Sequence, residues 1–99
     1  MFLGDVIGVM VSTEKHASLR DQKLLVVQPV SVDGKPEGKP VIAIDTVDAG
    51  VGDRVLVNNE GRAAAELLGR ENPPIRTLIV SVIDTIEANG AVAYRKSER

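Results

Sequence analysis

Ninety-nine residues, 43% of them hydrophobic, leave room for one domain over residues 1–99, with one core. The net charge of −2, from twelve basic and fourteen acidic side chains, excludes an overall positive field that would draw the chain to nucleic acid or an anionic membrane. With no cysteine there is no disulfide framework, no thiolate nucleophile and no thiolate metal site, and a reducing compartment fits.

The first stretch, FLGDVIGVMVST at residues 2–13, reads as a strand in which Gly4 and Gly8 mark bends or close backbone approaches. It lacks a basic leader and a small-residue cleavage site, so it reads as mature protein. No run approaches the roughly 20 apolar residues of a membrane span. A polar loop, EKHASLRDQ, leads into KLLVVQPV, a strand whose Pro29 cannot donate to a ladder and so belongs at an edge, a bulge or a strand end. VDGKPEGKP is a solvent-facing turn, and VIAIDTV resumes strand character. After the loop DTVDAGVGD, the segment DRVLVNN is another strand, and EGRAAAELLGRE is the one convincing helix, followed by Gly69. NPP at residues 72–74 stops it, IRTLIVSVIDTIEA is the longest strand candidate, and Asn89-Gly90 folds AVAYRKS back on it as a hairpin. The sum is a mostly β chain: a small closed β-barrel, OB-like, of five to six strands with one short helix and a terminal β-hairpin.

Several strands are apolar on both faces. Leu78, Val80 and Val82 point one way while Ile79 and Ile83 point the other, and Leu24 and Val26 oppose Leu25 and Val27. One short helix is too little to cover a second apolar face, so that face is expected to meet another subunit, with Ile79, Ile83 and Asp84 as candidate interface residues.

Chemistry is sparse. Asp45, Asp48 and Asp53 lack the spacing of a calcium loop and read as acids that cap strand ends. Ala49, Gly50 and Gly52 read as a structural turn, because AGVG lacks the Lys-Ser/Thr of a phosphate-binding loop and opens no helix. His16 is the single histidine and reads as part of a solvated loop. Asp84 and Glu87, three apart on a strand, fall on opposite faces, and YRKSER reads as a frayed tail. No nucleophile, base and oxyanion donor assemble, so neither catalysis nor a cofactor or metal is expected.

Taken in order, VIGVMVSTEKHASLRDQKLLVVQPV, AIDTVDAGVGDRVLV and LIVSVIDTIE closely resemble the vertex proteins of bacterial microcompartment shells, the EutN/CcmL family. The resemblance spans nearly the whole chain. It implies a small β-barrel that assembles as a homopentamer, without cofactor, at the five-fold corners of a cytoplasmic protein shell, with hexameric shell proteins as partners and no nucleic acid or membrane. Three departures stand out: Asp48 where the family usually has glycine, EGRAAA in place of a Gly-Ser-Ser-Ala-Arg stretch, and Arg76 where aspartate is frequent. The competing resemblance is to a co-chaperonin-like ring, carried by VGDRVLV, which would need a long mobile loop with an apolar docking tripeptide.

Overall fold

A computed structural model of the protein describes residues 1–12 and 15–96. The strands are β1 (Phe2–Met10), β2 (Lys23–Val30), β3 (Val41–Asp45), β4 (Arg54–Asn58), β5 (Leu78–Val82), β6 (Thr85–Ala88) and β7 (Ala91–Arg95), with one helix, α1 (Arg62–Leu68), between β4 and β5. Strands β1 to β5 close a barrel in the order β1-β2-β3-β5-β4. All its pairings are antiparallel except β3 with β5, which is parallel. β6 and β7 form a separate two-stranded sheet around the Asn89-Gly90 turn, where both residues take positive φ, at 54° and 77°. That is the geometry for which Asn-Gly is preferred.

The barrel interior is aliphatic and filled by its own side chains. Val6, Leu25, Val27, Ala43, Ala49, Val55, Val57 and Ile79 form one buried cluster, with Phe2, Val41, Val47 and Val82 packed against it. On the outside of β2, β3 and β5, a second cluster joins Leu24, Ile44 and Leu78 to Leu19 and Ala64. Ala64 brings α1 close to the sheet because alanine adds little bulk. Leu19 sits in a short 3₁₀ turn, Ala17–Leu19, within the segment expected to be plain loop.

The outer apolar face of β2 and β5 is therefore covered in part within the protomer, where the expectation left it to another subunit: Leu24 and Leu78 are buried, while Val26 and Val80 stay half-buried. The helix is short, but the 3₁₀ turn and Ile75 extend its cover. Ile79 is fully enclosed in the barrel interior, so in the folded protomer it has no surface to offer a neighbour. Alternation misplaced Val82 as well. Leu56 pairs with Ser81 and Val57 with Ile79, which leaves Val80 as an extra residue and returns Val82 to the inside alongside Ile79.

Two further boundaries differ. β1 ends at Met10 rather than at residue 13, which lies outside the described residues. The expected long strand over 75–88 is two strands, because the ladder with β4 ends at Val82 and the Ile83 amide makes its last bond to the Arg54 carbonyl, at 2.8 Å. From Ile83-Asp84 the chain leaves the barrel and pairs with β7 instead.

Candidate functional site

Three features outside the core could carry function: the acidic glycine loop after β3, the base of the terminal hairpin, and the outer half of β1. In the loop, the Asp45 side chain is fully buried and accepts hydrogen bonds from the Val47 amide (3.1 Å) and the Ala49 amide (2.9 Å). Lys23, at the start of β2, reaches Asp45 at 3.3 Å and donates to the Ala49 carbonyl at 2.8 Å and to Asp48 at 3.3 Å. Ala49 is thereby fixed with its methyl in the barrel cluster. Asp53 accepts from the Gly50 amide (2.8 Å), and its own amide donates to the Gly50 carbonyl (3.0 Å).

The three acids do not converge. Asp45 points inward, Asp48 stands in solvent, and Asp53 caps the turn; among the described residues no group of acids or histidines is arranged to hold a metal ion. Asp48 has φ 57°, a left-handed conformation in which glycine is at ease and aspartate is tolerated, so the backbone of the loop keeps its shape despite the substitution.

Within AGVG the conformational demand falls on Gly52, with φ 95°, whose amide donates to the Val6 carbonyl at 3.0 Å. Gly50 has no positive φ, and a Cβ built there meets nothing within 4 Å. A tight requirement for glycine at Gly50 is thus not imposed by the protomer itself. Gly52→Ala should lower stability by about 1–2 kcal/mol, the cost of a Cβ in left-handed backbone, while Gly50→Ala should stay within roughly 0.5 kcal/mol of the parent. Chemical denaturation of the two variants side by side checks the contrast.

Lys23 carries a pKa raised above its ordinary 10.5: desolvation pulls it down, but hydrogen bonds to Asp48 and Asp45 and their negative charges outweigh that pull. A cation held more firmly when folded stabilises the fold below pH 10.5 and loses that contribution as pH rises through the higher folded value. Stability should therefore fall more steeply above pH 10.5 in the parent than in Lys23→Met, as melting temperatures across that range would report.

At the hairpin base, Arg54 on β4 makes a two-pronged ion pair with its cross-strand neighbour Asp5, at 2.8 and 3.1 Å. Its guanidinium lies 4.2 Å from the centre of the Tyr94 ring on β7, a cation–π contact. The hydrogen bonds to Asp5 are the main reason its pKa is raised, partly opposed by desolvation. Lys96 completes the attachment, its amide donating to the Asp84 carbonyl (2.7 Å) and its ammonium lying 3.8 Å from Asp53. Tyr94 and Arg95 therefore belong to a strand rather than a frayed tail, and residues 97–99 lie outside the described residues. Ile83 is half-buried here and the Asp84 side chain is exposed. Glu87 is exposed on β6 and forms no pair with it.

His16 sits over the 3₁₀ turn, with Nδ1 2.8 Å from the Ser18 hydroxyl and Nε2 3.0 Å from Arg70. Nδ1 also accepts from the Ser18 backbone amide at 3.2 Å, which caps the 3₁₀ turn. His16 is exposed in the loop ahead of the turn, as expected, and there it links the turn to Arg70, just past the end of α1. The segment is packed through Leu19, unlike the mobile docking loop that a co-chaperonin would need.

The outer half of β1 escaped the reading of the sequence. β1 pairs with β4 only through Phe2–Asp5, and Val6 exchanges bonds with Gly52 and Asp53. Beyond Val6, among the described residues, only the β2 side of the strand is laddered. Val6 pairs with Val27 and Gly8 with Val26, so Ile7 is an extra residue that bends the strand outward at this point. Ile7, Val9, Met10 and Val11 are 52%, 54%, 42% and 88% exposed, an apolar patch along an open edge. Such an edge is a template for pairing with another chain.

Comparison with known proteins places this geometry. Residues 1–84 match the EutN_CcmL family, described as ethanolamine utilisation protein EutN/carboxysome. The chain is 40% identical over 87 residues to the bacterial microcompartment shell vertex protein GrpN of Rhodospirillum rubrum, covering 88% of this chain and 97% of that one. It is 39% identical over 100 residues to the carboxysome shell vertex protein CcmL of a Nostoc species, covering 100% and 98%. Among solved structures, an ethanolamine utilization protein EutN superposes with a TM-score of 0.85 at 32% identity, covering 98% of this chain and 100% of that one. The pentameric microcompartment shell protein GrpN of Rhodospirillum rubrum superposes at 0.77 with 39% identity, covering 89% and 99%. With a matching profile over most of its length, vertex-protein relatives across nearly all of it and the same barrel in their structures, the chain belongs to the EutN/CcmL family.

Proposed function

We propose that this chain is a structural subunit of a bacterial microcompartment shell, acting as a homopentamer at the five-fold vertices. Its work is positional: flat sheets of six-fold tiles cannot close on themselves, and a five-fold ring supplies the corner. In that role it needs no cofactor, nucleic acid or membrane, its partners are hexameric shell proteins, and its place is the shell in the cytoplasm. The observation that carries the reading is the apolar open edge along Ile7–Met10, which a lone soluble protomer would leave exposed to aggregation and a ring would cover.

Membership in a family whose relatives include vertex proteins and pentameric shell proteins supports it. Ile83 and Asp84, at the point where the chain leaves the barrel, are proposed to contribute to the subunit contact, with the Ala49–Gly52 turn holding β4 and the root of the β1 edge in place. The test is co-expression with hexameric shell tiles, followed by electron microscopy. Closed polyhedral shells that appear only when this chain is present support the proposal; shells equally closed without it, or containing none of it, count against it.

A further inference from the structure

A ring with more than two identical subunits is held by a head-to-tail contact, so two different surfaces of one chain must meet. Two open strand edges stand out on this one. The first is the outer half of β1, apolar and laddered on the β2 side alone. The second is the terminal hairpin, whose β6 and β7 have, among the described residues, no strand neighbours other than each other.

The hairpin has no core of its own. None of its strand residues is buried, and Val92 on β7 is 48% exposed. It is attached to the barrel by polar contacts: the stacking of Tyr94 on Arg54, the Lys96–Asp53 ion pair and the hydrogen bond from the Lys96 backbone amide to the Asp84 carbonyl. An isolated two-stranded hairpin is at best marginally stable in water, so a further partner would give it support that this barrel does not. The molecule is elongated, 45 × 26 × 22 Å, with a radius of gyration of 14.0 Å against about 13 Å for a compact chain of this length.

Resting on the vertex reading, we infer that the ring is closed by strand addition: β7 of one subunit pairs along the open edge of β1, Ile7–Met10, of the next. The two edges are of similar length, and the chemistry fits. β7 presents Ala91, Val92 and Ala93 to its surroundings, where β6 presents Thr85 and Glu87. Main-chain hydrogen bonds would provide the affinity, and Val92 seated among Ile7, Val9 and Met10 the specificity. Of the other large exposed apolar side chains, Met1 precedes β1, and Val32, Val51 and Leu67 stand singly on loops or on α1; none lies on a strand edge.

The cysteine-free chain makes the test direct. The native mass of the parent is taken first; if it is not a ring, the vertex reading itself fails and this contact falls with it. With a pentameric parent, the double variant Val9→Cys/Val92→Cys is oxidised in the full-length protein and run without reductant. Covalent species up to five times the subunit mass are expected, with each single variant reaching a dimer at most. Val92→Lys is expected to convert the ring to monomers while its circular dichroism stays that of the parent. A pentameric parent whose double variant gives no cross-linked species larger than a monomer, and whose Val92→Lys variant remains pentameric, would overturn the inference.

Discussion

Gly4→Ala should lower the stability of the protomer by about 1–3 kcal/mol, the range for overfilling a packed core. Gly4 lies on β1 opposite Pro29, buried where a side chain would meet the interior residue Val27. A Cβ at this position would come within 2.3 Å of the Val27 Cγ1 and 3.2 Å of the Gln28 carbonyl oxygen. Neither neighbour can give way easily, since Val27 is fully buried among the interior residues and the carbonyl belongs to a laddered backbone. The collision names its own remedy. Val27→Ala removes the atom that the new methyl strikes, so the double variant Gly4→Ala/Val27→Ala should lose less than the sum of the two single losses. Denaturant unfolding at one fixed subunit concentration measures all four proteins, because a ring's apparent stability depends on concentration. Strictly additive losses would mean that the two sites do not touch.

The second large effect is expected at Asp45. Asp45→Ala removes the acceptor for two backbone amides, Val47 and Ala49, and the buried partner of Lys23. A donor left without an acceptor inside a protein costs about 1–3 kcal/mol, so this variant should be severely destabilised. Removal of the cation should be milder. The Lys23 side chain is 43% exposed and its loss leaves Asp45 with both amide donors. Asp45→Asn, which retains one carbonyl oxygen, should fall between the two. The predicted order of melting temperatures is parent, Lys23→Met, Asp45→Asn, Asp45→Ala; an Asp45→Ala variant as stable as Lys23→Met would show that the carboxylate is not the centre of the loop.

Much of this architecture is legible in the residues. KLLVVQPV is a strand over its whole quoted length because a run of branched aliphatics is bounded by polar loops, and Asn89-Gly90 makes the turn that its backbone preference demands. The helix ends where Gly69 takes left-handed backbone. What could not be read is bound up with bulges. One extra residue at Ile7 and another at Val80 reverse the inside–outside alternation; Gly8 marks a bend beside the first without fixing which residue is extra, and the second lies among ordinary aliphatics and carries no signal. The bulge at Val80 hid the inward turn of Val82, and the one at Ile7 hid the exposed β1 edge; Ile79 precedes its bulge and was expected at an interface because both faces of that strand are apolar and alternation alone does not say which one faces inward. Long-range pairs were equally hidden. Lys23 meets the Asp45 loop, and Arg54 meets Asp5 and Tyr94, only because the barrel register brings distant segments side by side.

The number of subunits in the assembled protein tests the central claim most directly. Native mass spectrometry of the full-length chain at physiological ionic strength should give five copies per particle, with no peak at other ring sizes. A stable monomer would contradict the account, because the apolar edge of β1 would then be tolerated in water; a seven-membered ring would contradict it in favour of a co-chaperonin-like assembly.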